Sequence, residues 1–328
     1  MTDQESRKVL VTGGSGFIGT HVVDALIREG VVVLNLDTLP PPEEAQHPHW
    51  RQCDILDVAS LKERVDEFRP AEVVHLAART DMGGETVEDY ATNSEGTANV
   101  LQVLESSESV ERVVFTSTQF VVGPGRPPVN DEDYRPHTIY GESKVEAERL
   151  VQRTRSHYAW TIIRPTNIWG PLHPRYTDEF WRVLKRGLYF HPGRTPVVRS
   201  YGYVKNVVYQ IQCILRSPHS QVDRQVYYLG DEPIDLLDWV DAFSIALADR
   251  PARVVPRPMF RLVALAGDVA VGLGINAPIF SSRYRSMTED YWTPTDRTLT
   301  EFGPPPYSLQ EGVDETVEWL RGQGSFWE

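Results

Sequence analysis

The sequence predicts an α/β protein: a doubly wound parallel sheet with helices on both faces, joined to a smaller, loop-rich C-terminal region. Three observations predict it. In the first half, short β-branched runs alternate with longer amphipathic stretches, the pattern of strand–helix–strand units. Those strands are nearly continuous apolar runs, as a sheet buried on both faces requires. After Arg164 the punctuation changes, with frequent proline and aromatic residues and short, scattered strands.

Taken in order, Lys8–Thr12 (KVLVT), Val31–Asp37 (VVVLNLD), Val73–Ala77 (VVHLA), Arg112–Thr116 (RVVFT) and Thr161–Arg164 (TIIR) read as strands. Helical periodicity covers Phe17–Glu29, Ala59–Arg69, Val87–Glu105 and Tyr140–His157. Pro40–Pro42 and Pro304–Pro306 mark loops. The loop-rich region is expected against the carboxyl edge of the sheet, where open α/β sheets bind their ligands.

Composition narrows the function classes. The chain has 328 residues, 41% hydrophobic and 24% charged, ordinary for a globular protein with a large core. Its formal charge of −13 argues against a nucleic-acid partner, which needs a basic surface. Two cysteines, Cys53 and Cys213, are too few for a disulfide framework or a cysteine metal site. The polar start MTDQESRK has no apolar core of a signal peptide, and no run of about 20 apolar residues suggests a membrane span. The expected compartment is the cytoplasm, with no metal in the site.

The first strand runs into Gly13, Gly16 and Gly19, spaced GxxGxxG, and these open the first helix. Such a turn lets bare backbone approach a pyrophosphate, and the amides at the helix start face the anion. Asp37 ends the next strand, where a carboxylate accepts hydrogen bonds from both ribose hydroxyls of an adenosine and repels a 2′-phosphate. That favours NAD over NADP. Cys53-Asp54-Ile55 precedes a helix and offers Asp54 to an adenine amino group, or supplies only a turn residue. His75-Leu76-Ala77-Ala78 ends a strand in small residues, where backbone lies close to the cofactor. His75 itself reads as a satisfied core histidine.

Tyr140 and Lys144 open a strong helical pattern four residues apart, so both side chains share one face. A phenol titrates near 10, too high for a base at neutral pH. A neighbouring ammonium and a positive nicotinamide ring stabilise phenolate, so Tyr140 is expected to take a proton from a substrate hydroxyl. Lys144 also suits the nicotinamide ribose. Thr116-Ser117-Thr118 ends the strand RVVFT and points hydroxyls into the crevice. Thr118 is the first choice to share a hydrogen bond with the reacting oxygen, and Ser117 the second.

These residues resemble a known family. TGGSGFIG, the strand-end aspartate, DILD, HLAA, Asn93-Ser-Glu-Gly96-Thr-Ala-Asn99, TST and YGESK are similar to the extended short-chain dehydrogenases/reductases. Within them they resemble the NAD-dependent nucleotide-sugar epimerase/dehydratase group. Arg164-Pro-Thr-Asn167-Ile-Trp-Gly170-Pro is similar to the group's RPxNxYGP stretch, and Arg199-Ser-Tyr-Gly-Tyr203-Val-Lys-Asn206-Val to its RDFxYVDDV segment. Thr295-Asp296 through Tyr307-Ser-Leu-Gln-Glu311-Gly312 to Trp319 resembles its closing pattern.

The resemblance implies a Rossmann-type NAD-binding domain at 1–166, completed by 200–230, and a discontinuous substrate-binding region at 167–199 and 231–328. It implies that Gly13, Gly16, Phe17, Ile18, Asp37, Asp54, Ile55, Leu76, Ala77, Ala78, Thr116, Tyr140 and Lys144 hold NAD. Thr118, Tyr140 and Lys144 would be catalytic, and Thr118, Asn167 and Arg199 would face substrate. An arginine fork suits a diphosphate on chemistry too. A homodimer built on the helices near Val87–Glu105 and Tyr140–His157 would follow the family.

The departures matter as well. Dehydratases of the group carry Asp-Glu after the strand-end threonine, whereas Thr118 is followed by Gln119-Phe120. Lys205 and Asn206 replace the "VDDV" aspartates. The aromatics Phe180, Trp181, Tyr189 and Phe190 could stack on a uracil or belong to the core. The expected activity is a nucleotide-sugar epimerase, most simply a 4-epimerase, that transfers hydride transiently to NAD. One alternative is a net dehydrogenase or ketoreductase of a sugar or a steroid-like hydrophobic alcohol, favoured by the apolar Leu262–Phe280 stretch. A second is a non-catalytic NAD-binding regulatory protein.

Overall fold

The computed structural model describes residues 7–275 and 277–327; the first six residues of the polar start lie outside them. Its centre is a seven-stranded sheet. The strands are β1 (Lys8–Thr12), β2 (Val32–Asp37), β3 (Trp50–Gln52), β4 (Glu72–His75), β5 (Arg112–Thr116), β6 (Ala159–Pro165) and β7 (Gln225–Leu229). Their order is β7-β6-β5-β4-β1-β2-β3, and every neighbouring pair is parallel. The order reverses between β1 and β4, which opens a crevice at the carboxyl ends of those strands.

Strand alternation sends successive side chains into two separate cores. Val9, Val11, Val74, Val114 and Ile163 pack on one face. Leu10, Val73, Val113 and Ile162 pack on the other. Helices α1 (Phe17–Arg28) and α5 (Val204–Arg216) cover the first face through Val22, Val23, Leu26, Val207, Ile211 and Ile214. The second face is covered by α2 (Val58–Phe68), α3 (Ala91–Glu105) and α4 (Ile139–Arg153). Their inward residues include Leu61, Val65, Val100, Leu104 and Val151. Helix α4 begins where the Thr138 hydroxyl accepts from the Gly141 amide at 3.0 Å, an N-cap that fixes the first turn carrying Tyr140.

The first core continues into the C-terminal region, so both parts share one apolar interior. That region contains α6 (Leu236–Ala248), α7 (Arg257–Gly272) and α8 (Leu309–Gly322), the last with a capping box between Ser308 and Glu311. Three two-stranded ladders tie its loops together: Asn167–Trp169 with Tyr201–Tyr203, Val198–Arg199 with Ile234–Asp235, and Phe190–Pro192 with Arg253–Val255. Trp239 lies at its centre, stacked on Tyr201 with centroids 4.1 Å apart and on Phe180 at 5.0 Å. Phe180, Trp181 and Tyr189 therefore belong to the core, while Phe190 is partly exposed. Among the described residues no helix is long and apolar enough to cross a membrane.

Candidate active site

A cavity of about 650 Å³ opens at the carboxyl ends of the strands. It brings together Gly13, Gly16, Phe17, Ile18, Asp37, Asp54, Ile55, Leu76, Ala77, Ala78, Thr116, Thr118, Tyr140, Lys144 and Asn167. Residues from seven different stretches of the sequence thus share one wall, as the switch point of the sheet dictates. Arg199 is the exception: it is buried and does not line this cavity.

The glycine turn has a physical basis in the packing. Gly13 adopts φ +70°, and a Cβ there would lie 2.5 Å from the Ala77 amide nitrogen. A Cβ on Gly19 would collide with the Gly13 carbonyl, so helix and strand approach as closely as bare backbone allows. Asp37 accepts from the Ser15 amide and the Leu39 amide, both at 3.1 Å. Its carboxylate is thereby fixed beside the turn while remaining half-exposed in the cavity. Asp54 is exposed on the same wall and accepts from the Leu56 amide at 2.9 Å. A bare-backbone cradle, an adjacent anchored carboxylate and the buried, partnerless Thr116 hydroxyl fit a dinucleotide.

His75 is buried between two hydroxyls, with Nδ1 2.7 Å from Thr12 Oγ1 and Nε2 3.2 Å from Thr97 Oγ1. Burial, reinforced by the Lys144 charge, lowers its pKa to about 3. It is a neutral core residue that ties β4 to β1 and α3.

Tyr140 and Lys144 project from the same face of α4 into the cavity. Burial pushes the phenol up to about 12, opposed by the Thr118 hydroxyl beside it and by the Arg175 charge. Burial also lowers Lys144 to about 8, with Glu148 pulling the other way. The ammonium donates to the Thr116 carbonyl at 2.9 Å. The Arg175 charge is a further cation that favours phenolate at Tyr140. Thr118, not Ser117, faces the phenol; the Ser117 amide donates to the Ile163 carbonyl, and its hydroxyl is buried without a partner.

Sequence reasoning missed three contributors. Arg175 is exposed on the cavity wall, six positions beyond the Asn167-Ile-Trp stretch that could have pointed to it. Glu148, one turn after Lys144, forms a buried ion pair with Arg164, with oxygen–nitrogen distances of 2.6 and 2.8 Å. Tyr291 donates to the Val122 carbonyl at 2.7 Å and packs edge-on against Phe120, closing the loop that follows Thr118. Arg199 lies behind this group, its guanidinium 5.8 Å from the Tyr291 ring. Its Nε has no hydrogen-bond partner, and no carboxylate pairs with it among the described residues.

The sequence profile of the NAD dependent epimerase/dehydratase family matches residues 9–230. The chain belongs to that family: it is an enzyme of the extended short-chain dehydrogenase type, and its cofactor is NAD. It is 32% identical to a UDP-N-acetyl-alpha-D-glucosaminuronate decarboxylase of Bacillus cytotoxicus over 96% of this chain and 98% of that protein. It is 31% identical to a 3-beta-hydroxysteroid dehydrogenase of Mycolicibacterium neoaurum, covering 73% of this chain and 70% of that protein. The structure of a UDP-glucose 4-epimerase of Thermus thermophilus in complex with NAD superposes with a TM-score of 0.70. That pair is 25% identical, covering 96% of this chain and 99% of the other.

Proposed function

We propose that the chain is a nucleotide-sugar epimerase, most simply a 4-epimerase, with Tyr140 as its proton-transfer group. The observation that carries this reading is the cavity itself. It brings the glycine turn and Asp37 together with Tyr140, Thr118 and Lys144 and with Asn167 and Arg175. The Bacillus decarboxylase and the Thermus epimerase, which act on UDP-sugars by name, support the substrate class.

Asp37 would hold the adenosine ribose and the turn amides the pyrophosphate. NAD, when bound, supplies the hydride acceptor and donor. Tyr140 takes the hydroxyl proton and later returns it, and Thr118 holds the reacting oxygen. Lys144 keeps its charge on the Thr116 carbonyl until a ribose hydroxyl replaces that acceptor. Arg175 faces the anionic end of the substrate and helps the phenol ionise. Arg199, buried and partnerless, is a second cation for the diphosphate, reached after movement of the aromatics in front of it.

The experiment is a panel of nucleotide sugars incubated with the purified protein and NAD. An epimerase converts one sugar without net accumulation of NADH. Accumulation of NADH in step with product would replace this reading by net oxidation. That second reading is favoured by the Mycolicibacterium relative and by the apolar cavity wall of Phe120, Ile168 and Leu172. A homodimer would use the outer side of α3 and α4, which pack together and leave a hollow lined by Leu101 and Leu150. The cytoplasm remains the compartment assigned to this activity.

A further inference from the structure

Helix α7 has an apolar face on the wrong side. Its buried side is formed by Phe260, Ala264 and Gly267, which fall within one arc of the helix at 100° per residue. Phe260 stacks on Tyr284 at 6.1 Å, and Gly267 lies against the Ile279 carbonyl so closely that no side chain fits. Asp268 accepts from the Ser281 amide at 2.9 Å and from the Ser281 hydroxyl, closing α7 onto the helix Ser281–Ser286 as a hairpin. The opposite side of such a helix is ordinarily polar. Here it carries Leu262, Leu265 and Val269, each 49–68% exposed, and Leu273 just beyond the helix end at 74%, with Met259 and Val263 exposed on one flank.

A cationic rim accompanies this face. Residues 257–287 contain four arginines and a single acidic residue, in a chain of formal charge −13. Arg261, Arg283 and Arg285 are exposed and form no ion pair among the described residues; Arg283 donates to the Pro278 carbonyl at 2.9 Å, the Arg285 charge acts on Asp268, and Arg257 donates to the Pro192 and Thr195 carbonyls. An apolar strip on one side of α7, with Arg261 on its flank and Arg283 and Arg285 on the helix packed behind it, matches the two layers of a lipid interface, acyl chains below and anionic headgroups above. At 16 residues α7 is about 24 Å long, short of the roughly 30 Å hydrocarbon core, so it suits lying in the surface rather than spanning it.

We propose that the hairpin 257–287 is a docking surface for an anionic lipid bilayer. The occupant is the membrane surface itself: the apolar strip inserts among the acyl chains, and Arg261, Arg283 and Arg285 meet phosphate headgroups. The hairpin is rigidly joined to the catalytic loop, because Tyr291, four residues past its end, donates to the Gln119 and Val122 carbonyls.

The test is co-sedimentation of the full-length protein with vesicles of equal parts phosphatidylglycerol and phosphatidylcholine, compared with phosphatidylcholine alone. The intact protein pellets with the anionic vesicles and binds the neutral ones on the order of tenfold more weakly. The double variant Leu262→Ser/Val269→Ser, changed only at exposed positions, loses binding while keeping its circular dichroism and its NAD affinity. Arg261→Glu/Arg285→Glu lowers partitioning by on the order of tenfold. An intact protein that stays in the supernatant with anionic vesicles overturns the proposal. So does a dimer in analytical ultracentrifugation that the Leu262→Ser/Val269→Ser variant abolishes and that vesicles do not dissociate, since the strip is then an interface between copies. Vesicle binding is read without turnover, so it stands or falls separately from the epimerase reading.

Discussion

Replacing Lys144 with methionine should make the protein more stable and far less active. Lys144 is 3% exposed, and burial lowers its pKa from 10.5 to about 8. At pH 7 the folded state must therefore hold a cation that its surroundings disfavour. A fall from 10.5 to about 8 corresponds to roughly 3 kcal/mol of destabilisation by the charged form. Methionine fills a similar volume without charge, but it forfeits the hydrogen bond to the Thr116 carbonyl, about 1.5–3 kcal/mol for a charged donor. The net expectation is a gain of about 1 kcal/mol at pH 7. The pH dependence is the sharper signature. Between about 8 and 10.5 the unfolded chain binds a proton at Lys144 that the folded chain does not. The intact protein thus gains stability relative to Lys144→Met as pH rises through that window, and the variant's advantage disappears. Urea unfolding of both proteins at pH 7 and pH 10 measures this. A stability difference that is the same at both values would refute the claim that a buried charge is the cause.

Four other perturbations have defined outcomes. Tyr140→Phe removes only the hydroxyl and should lower turnover by about 10² to 10⁴ while leaving NAD binding within about twofold, as steady-state rates and cofactor titration will show. The intact enzyme should bind NAD at least about tenfold more tightly than NADP, and Asp37→Ala should shrink that gap; equal affinities before mutation would remove Asp37 from the ribose site. Gly13→Ala places a Cβ 2.5 Å from the Ala77 nitrogen at φ +70° and should abolish NAD binding together with about 1–3 kcal/mol of stability, read by calorimetry. Glu148→Gln leaves the Arg164 guanidinium buried without its counter-charge and should cost about 3–5 kcal/mol in urea unfolding.

The elements most legible in the sequence were those whose pattern has one physical cause. The strands Lys8–Thr12 and Arg112–Thr116 end where expected because both are bounded by a glycine turn or a hydroxyl cluster. Helix α3 starts later than Val87, at Ala91, because the preceding residues form a tighter 3₁₀ turn with the same apolar spacing. Strands β3 and β7 were not read. Trp50–Gln52 is three residues long at the sheet edge, and Gln225–Leu229 follows a stretch without β-strand punctuation. The cavity lining was legible wherever backbone geometry dictates residue type, as at Gly13 and Ala77. Arg175 was not, since a loop arginine carries no local signature and its position depends on how the aromatic region folds over the sheet.

Spacing alone also leaves open what surrounds Lys144. Four residues on a helix place Tyr140 and Lys144 on one face, but which charge reaches which group depends on burial and on competing acceptors. The Thr116 carbonyl is such an acceptor, supplied by the end of β5. Glu148, the next turn of α4, is held by Arg164 from β6, whose guanidinium also donates to the Asp131 carbonyl at 2.6 Å and to the Tyr228 hydroxyl at 2.9 Å. Helix α4 is thus clamped to the sheet by an ion pair one turn beyond Lys144. The clamp fixes the position of the Tyr140 ring, and the glutamate favours the charged form of Lys144 that burial opposes. A crevice that holds a lysine this dry needs such a counter-charge, close enough to support the ammonium and too firmly engaged by Arg164 to neutralise it.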